Sequence, residues 1–140
     1  MKHYNSKQIE QLIPQREPIV MLSGVTVYDD GNVETELEIT NDNIFADNGK
    51  FLETGIIEHT AQSAAAIIGI ENLNSGSTPK VGFIGAVKNF KFSKLPCVGE
   101  TIRTKAYIAG SFANISLIKA ETTANGEIIA SGELKVVVTE

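Results

Sequence analysis

The chain has 140 residues, of which 42% are hydrophobic and 21% are charged, so it is long enough for one hydrophobic core and too short for two. Its net charge of −5 argues against nucleic-acid binding, which needs a concentrated basic face. The single cysteine excludes an internal disulfide, and the longest nearly uncharged stretch, residues 60–70, is about half as long as a membrane span.

The N-terminal part of the chain predicts a hairpin. Residues 6–12 can form a short opening helix, and residues 19–22 are apolar enough for a buried strand or for the entry to one. Apolar and polar residues alternate with a period of two over residues 33–40, which is typical of a strand with one face in water. The Asp-Asp-Gly-Asn sequence at 29–32 favours a turn, so residues 25–28 are predicted to pair with that strand.

The middle of the chain predicts a long buried helix. Residues 41–50 are rich in Asn, Asp and Gly and are interpreted as a loop. Residues 54–72 contain no proline, and isoleucines and alanines cover most of the helical circumference. A helix that is apolar nearly all round is buried. The Asn-Ser-Gly-Ser-Thr-Pro sequence at 74–79 predicts the loop that ends it.

Four strand-like segments follow the helix: residues 81–92, 102–109, 113–122 and 128–139. In the first of them, Gly82 and Gly85 favour bends or bulges. A short turn is predicted at Gly110-Ser111, and Asn125-Gly126 is a strong hairpin signal. Strands on both sides of one buried helix predict an α+β fold, a single domain over residues 1–140 in which a curved antiparallel sheet wraps the helix.

Glu58 and Gln62 form the polar pair of the predicted helix. They lie four residues apart, on one face of a helix otherwise built from Ile and Ala. Burying a carboxylate without a partner costs several kcal/mol, so such a residue normally has a role. A carboxyl group in an apolar pocket suits acid–base chemistry because desolvation favours its neutral form. The alternative is that Glu58 pairs with a lysine or a backbone amide, or reaches solvent, and the residue pattern alone favours neither reading.

Three segments, taken in order, resemble the 3-hydroxyacyl-acyl-carrier-protein dehydratases of fatty acid synthesis, the FabZ and FabA type. Residues 13–22 resemble the Leu-Pro-His-Arg-x-Pro opening of that family, and residues 51–66 resemble its central helix, where an acid is followed four residues later by glutamine. Residues 81–102 resemble the strand and the Pro-Gly turn after it. The helix is most similar to that of a divergent branch in aryl-polyene pigment clusters, which reads Gly-Ile-Glu-x-x-Ala-Gln-x-x-Ala. The resemblance implies a hot-dog fold.

The resemblance also implies a function, the dehydration of 3-hydroxyacyl thioesters in fatty acid or polyene synthesis. Glu58 would act as the catalytic acid and Gln62 would orient it. Four residues would contact the substrate: Phe51, Glu53, Gly55 and Gly85. The backbone N–H of Glu53 or Gly55, at the start of the helix, would hold the thioester carbonyl. The resemblance implies no cofactor, and the sequence shows no spacing typical of a metal site or phosphate loop.

The chain departs from this family at the catalytic base. The family's histidine lies in a loop before the helix, whereas this chain has only His3 and His59. His59 adjoins Glu58, and neighbouring residues on a helix point about 100° apart, so both are not expected to face one substrate. His3 lies in a terminal segment that is expected to fray. Asp47, in the loop before the helix, is the remaining candidate for the base.

Two alternative functions follow from this departure. The chain would be an acyl thioesterase if Glu58 activates water, or a non-catalytic subunit of a heteromeric dehydratase. We expect a homodimer, or a heteromer with a hot-dog paralogue, that acts on acyl-ACP or acyl-CoA in the cytoplasm, without nucleic-acid or membrane partners. An acidic acyl carrier protein would dock on a lysine cluster, Lys80, Lys88, Lys91 and Lys94.

Overall fold

The computed structural model describes residues 1–76 and 81–139, in which one long helix lies against a large antiparallel sheet. The helix, α1, spans Glu53–Ser75, and a short 3-10 turn spans Ile9–Gln11. The strands of the described residues are β1 (Lys2–Tyr4), β2 (Gly24–Val27), β3 (Val33–Glu38), β4 (Ala46–Asp47), β5 (Lys50–Phe51), β6 (Val81–Phe92), β7 (Thr101–Phe112), β8 (Ile115–Ala124) and β9 (Glu127–Thr139). None of the described helices is long and apolar enough to cross a membrane.

The large sheet has seven strands in the order β1-β2-β3-β7-β8-β9-β6, and every neighbouring pair is antiparallel. Strands β4 and β5 form a separate two-stranded hairpin directly before α1. Strand β6 follows the helix in sequence but lies at the outer edge of the sheet, beside β9. This is the α+β hot-dog arrangement that the sequence predicted.

The core lies between α1 and the concave face of the sheet. One cluster of buried side chains surrounds the C-terminal half of the helix and includes Ile67, Ile118 and Leu134. A second cluster surrounds the start of the helix and includes Phe51 and Ile56. The helix is longer than predicted because its last polar turn continues to Ser75; it ends at Gly76, whose left-handed backbone (φ 64°) glycine adopts without strain. The predicted loop at 74–79 lies partly outside the described residues.

The hairpins at 29–32 and at Asn125-Gly126 are confirmed, since β2 pairs with β3 and β8 pairs with β9. The turn predicted at Gly110-Ser111 is wrong. Strands β7 and β8 continue past it and turn at Ala113-Asn114, and the pairing shifts register between Ile108 and Gly110. Gly110 therefore lies at a bulge inside a strand and not at a turn. Glycine is common at both kinds of position.

The N-terminal segment is more ordered than predicted. His3 does not fray but pairs with Thr26 in β1–β2, and its Nδ1 lies 2.9 Å from Thr26 Oγ1. The predicted opening helix is reduced to the single 3-10 turn. Residues 41–50 are not entirely loop, because their end forms β4 and part of β5. Residues 19–22 belong to no strand, although Met21 and Leu22 are buried.

Strand β6 is bulged twice. The register shift between Ile84 and Ala86 confirms the bulge predicted at Gly85. The second bulge lies between Lys88 and Lys91, where Asn89 has a positive φ, and not at Gly82. Gly82 instead faces the helix: a Cβ built on it would lie 2.9 Å from Ile68 Cδ1. Glycine thus allows β6 to approach α1 closely.

Candidate functional site

The side-chain amide of Gln62 is fully buried and uses all of its bonding groups. Gln62 Oε1 accepts a hydrogen bond from the backbone N–H of Met21 at 2.6 Å. Its Nε2 donates to the carbonyl oxygen of Ile19 at 2.7 Å and to Glu58 Oε2 at 2.9 Å. Because one end of the amide faces a donor and the other faces two acceptors, its orientation is fixed.

Glu58 is the carboxylate that this amide holds. It is half-buried and lies on the same side of the helix as Ala61, Ala65 and Ile68, at three- and four-residue spacing. Ile68, ten residues further along this side of the helix, is the residue that Gly82 of β6 approaches. The predicted contact between Glu58 and Gln62 is therefore present, and the carboxyl is neither fully exposed nor sealed in the core.

His59 lies fully buried, with both ring nitrogens engaged. Nδ1 is 2.7 Å from the carbonyl oxygen of Met21, and Nε2 is 2.8 Å from Thr104 Oγ1. Thr104 Oγ1 in turn lies 2.6 Å from Thr122 Oγ1. Burial lowers the pKa of His59 to about 4, although the bond to Met21 opposes that shift. The ring is neutral at physiological pH and has no nitrogen left for a substrate, in agreement with the prediction that it does not share a substrate with Glu58.

Phe51 and Gly55 pack against each other at the start of the helix. The ring of Phe51 is fully buried, and a Cβ built on Gly55 would lie 2.6 Å from that ring and 2.7 Å from Phe45 Cβ. The N–H of Gly55 donates to the carbonyl oxygen of Leu52 at 2.9 Å. Phe51 and Gly55 therefore serve the packing of the helix start, and their contact with a substrate stays a prediction.

Glu53 opens the helix and is exposed. The residue before it, Leu52, is the N-cap and contributes no side-chain hydrogen bond to the first turn. The first amides of a helix have no acceptor within it, and the helix dipole favours negative charge there. The backbone N–H at Glu53 consequently keeps the character that an oxyanion site requires.

The other candidate residues lie on strands, whereas Glu58 lies on α1. Gly85 is exposed in the first bulge of β6, where a built Cβ would contact Val137 Cγ2 at 3.3 Å. Asp47 is exposed in β4, in the hairpin that leads into the helix. His3 lies on β1, at the opposite edge of the sheet from β6. Among the described residues, no group of three or more His, Cys, Asp or Glu side chains is arranged to hold a metal ion.

A cavity of about 950 Å³ lies on the outer face of the sheet, and its lining residues do not include Glu58. Charged side chains alternate across its strands, as at Lys119 and Glu133, whose charged atoms lie 3.7 Å apart. Lys88 lies close to Lys135. This proximity lowers the pKa of Lys135, through a side-chain hydrogen bond between the two amines and through charge repulsion. Lys88, Lys91 and Lys94 are exposed, whereas Lys80 lies outside the described residues.

Sequence reasoning missed the segment at 19–21 as part of the site. The sequence predicts a buried strand or the entry to one there; the segment leads into β2, and Ile19 and Met21 are bonded to helix side chains. It also missed Thr104 and Thr122, which alternate with apolar residues on the inner faces of β7 and β8. Two buried threonines at core positions of neighbouring strands were the available signal for a buried polar partner.

The protein-family model described as ApeP-like (ApeP dehydratase) matches residues 7–140 of the chain. A 3-hydroxyacyl-[acyl-carrier-protein] dehydratase FabZ from Ruminiclostridium cellulolyticum is 24% identical over 141 residues, which cover 96% of this chain and 97% of that protein.

Two solved structures are similar in fold. The dehydratase heterocomplex ApeI:P from Xenorhabdus doucetiae aligns with a TM-score of 0.85 at 15% identity, covering 94% of this chain and 91% of the chain compared. A hypothetical thioesterase with coenzyme A from Streptococcus pneumoniae aligns with a TM-score of 0.66 at 12% identity, covering 82% and 84%. Hot-dog proteins of both the dehydratase and the thioesterase kind thus share this architecture.

Proposed function

Because this chain belongs to the ApeP-like dehydratase family, we propose that it takes part in the removal of water from 3-hydroxyacyl thioesters, with Glu58 as the acid. The observation that carries the proposal is the bond of 2.9 Å from Gln62 Nε2 to Glu58 Oε2, made by an amide that is itself buried and fixed at both ends. A carboxyl group held in one orientation beside apolar side chains is suited to transfer a proton to a positioned substrate.

The dehydration breaks two bonds of the substrate. A base removes a proton from the α-carbon, and the C–O bond at the 3-position breaks as the hydroxyl leaves with a proton from Glu58, so that water is released and a double bond forms. Since Gln62 donates to Oε2, the acidic proton of Glu58 belongs on Oε1, which is the oxygen that would face the hydroxyl. The N–H of Glu53, at the uncapped helix start, would stabilise charge on the thioester oxygen.

The reaction also needs a base that removes the proton from the α-carbon. His59 is engaged at both nitrogens, and His3 lies at the far edge of the sheet. Losing a general base costs a proton-transfer step about 10²–10⁴-fold. We therefore favour a heteromer in which a histidine-bearing hot-dog subunit supplies the base, and Asp47 is the candidate within the chain. The similar ApeI:P protein is itself a heterocomplex.

The free edge of β6 is the proposed contact with that subunit. Among the described strands, β6 has a neighbour on one side only, and an unpaired strand edge is a template for pairing with another chain. Large apolar side chains are exposed along it: Phe83 at 58%, Ile84 at 43% and Val87 at 45%. Ile68, on the helix side that carries Glu58, lies against β6, and we infer that a subunit paired at this edge would close a channel over the carboxyl. A homodimer formed through the same edge is the alternative assembly.

An acidic acyl carrier protein would dock on the basic end of β6 and β9. Lys88, Lys91 and Lys94 are exposed, and Lys135 lies against Lys88 on the neighbouring strand. Crowded like charges attract an anionic surface. Phosphate-bearing coenzyme A would use the same charges, so the carrier is decided by comparing both thioesters.

The test is turnover of 3-hydroxyacyl thioesters by the chain alone and mixed with a histidine-bearing hot-dog paralogue. Formation of the enoyl product, followed by ultraviolet absorbance, should be lost in Glu58→Gln and retained in Glu71→Gln, a matched control at an exposed position of the same helix. Product formation only in the mixture supports the heteromer. Release of free thiol, lost with the same Glu58 variant, would support a thioesterase instead. Turnover that is insensitive to Glu58→Gln, or that is missing in the mixture, would refute the acid role.

A further inference from the structure

His59 is a buried polar side chain that the proposed reaction does not use directly. It lies next to Glu58 in sequence, but it points into the core, where it contacts Met21 and Thr104. The three polar side chains Glu58, His59 and Gln62 come from one helical turn, and two of them bond the same short segment of main chain. An apolar side chain of similar size would fill the same space but could not bond Met21 or Thr104.

The bonding partners fix the direction of every hydrogen bond around His59. The carbonyl oxygen of Met21 can only accept, so Nδ1 carries the proton. In the neutral ring Nε2 is then an acceptor and receives the hydroxyl hydrogen of Thr104. Thr104 Oγ1 accepts in turn from Thr122. The Met21 carbonyl thus selects the Nδ1–H form of the ring, and two almost completely buried threonines of the sheet supply the matching hydroxyl donors.

Met21 is held at both of its backbone groups by the helix. Its carbonyl oxygen accepts from His59 at 2.7 Å, and its N–H donates to Gln62 at 2.6 Å. The side chain of Met21 is buried as well. Without His59 the carbonyl of Met21 would lose a buried partner, and an unsatisfied buried acceptor favours movement of the segment. Any such movement changes the position of the N–H that orients the Gln62 amide.

We propose that His59 is a positioning residue: it holds the main chain at Met21, which orients the Gln62 amide, which in turn places the Glu58 carboxyl. This inference rests on the proposed function of Glu58. A chain of directed hydrogen bonds then runs from Thr122 in β8 through Thr104 and His59 to the site. Residues of the sheet thus help to fix the position of the Glu58 carboxyl without contacting the substrate.

The first test is spectroscopic and needs only the wild-type chain. Imidazole ¹⁵N shifts distinguish the two neutral forms of histidine, and His59 should be found as the Nδ1–H form, with Nε2 unprotonated. In free histidine the Nε2–H form is the more common neutral form. Observation of Nε2–H at His59 would contradict the directed chain and overturn the proposal.

The second test compares His59→Leu with His59→Asn. The amide of Asn can still donate to the carbonyl of Met21, whereas Leu cannot. A misplacement of about 1 Å can cost on the order of 10²-fold in rate, so His59→Leu should lower kcat about 10- to 100-fold with KM nearly unchanged. His59→Asn should recover a large part of that loss. Equal kcat in the two variants, or unchanged kcat in His59→Leu, would overturn the proposal.

A matched pair of threonine variants removes the objection that any change in the core lowers activity. Thr104→Val deletes the hydroxyl that donates to His59. Thr35→Val deletes an equally buried hydroxyl, which lies 2.7 Å from Ser63 Oγ and outside the chain to Glu58. Thr104→Val should lower kcat several-fold and Thr35→Val should not. This pair also decides the matter if His59→Leu does not fold, and similar effects of the two substitutions would overturn the proposal.

Hydrogen exchange of the Gln62 side-chain amide separates failure of this inference from failure of the proposed function. Both of its hydrogens are bonded, so they should exchange slowly in the wild type and in His59→Asn, and rapidly in His59→Leu. That result stands even if no thioester is turned over, in which case only the acid role of Glu58 is lost. Equal protection in His59→Leu would show that His59 does not position the amide.

Discussion

The buried histidine predicts a specific pH dependence of folding stability. The pKa of His59 is about 4 in the folded chain and 6.5 when solvated, so between these values the unfolded chain binds a proton that the folded chain does not. Stability due to this group is complete above pH 6.5 and is lost as the pH falls towards 4. One unit of pKa corresponds to 1.36 kcal/mol, so the loss amounts to about 3 kcal/mol.

The assay is urea unfolding of the wild type and of His59→Asn at a series of pH values between 4 and 7.5. Other groups that titrate in this range, such as the carboxyls, are common to both proteins and cancel in the difference. The wild type should lose about 3 kcal/mol more than the variant between pH 6.5 and 4, although the variant is less stable at neutral pH because it leaves a cavity. Parallel curves for the two proteins would show that the imidazole is not buried in its neutral form.

Three further predictions concern packing, assembly and docking. Gly69→Ala should destabilise the fold by about 2 kcal/mol or more in urea unfolding, because its Cβ would overlap a backbone carbonyl oxygen of the N-terminal segment; Gly110→Ala, which has nothing within 4 Å, should change stability by less than about 1 kcal/mol. Val87→Glu at the edge of β6 should weaken association at least about tenfold in light scattering, and an unchanged mass would exclude this edge as the interface. Reversing Lys88 and Lys135 to Glu should raise KM about tenfold for carrier-bound substrate while sparing a short thioester analogue; equal effects on both would place docking elsewhere.

The proposed assembly and the proposed chemistry depend on each other. The carboxyl that Gln62 holds lies on the helix side that approaches β6 at Ile68, and His59 is bonded at both ring nitrogens. A second subunit at the edge of β6 would supply both the wall of the acyl channel and the missing base. The proposal that the chain works within a heteromer therefore follows from the same geometry as the proposal for its acid.

Much of the architecture was predictable because it depends on local patterns. The alternation in β3, the Asn125-Gly126 turn and the apolar circumference of α1 each report on residues that are near neighbours in sequence. The spacing of Glu58 and Gln62 belongs to this class, since residues four apart on a helix face the same side. Gly110 shows the limit: glycine suits a turn and a bulge equally, and only the pairing of β7 with β8 decided between them.

The sequence by itself determined the helix, the hairpins at 29–32 and at Asn125-Gly126, and the spacing that brings Glu58 and Gln62 together. The tertiary structure alone decided what that pair is attached to. The bonds from Met21 to Gln62 and to His59 join residues 41 and 38 positions apart, and the bond from His59 to Thr104 spans 45. A periodicity carries no information about such distant partners, because the contacts exist only once helix and sheet have packed and buried groups must find donors and acceptors across the core.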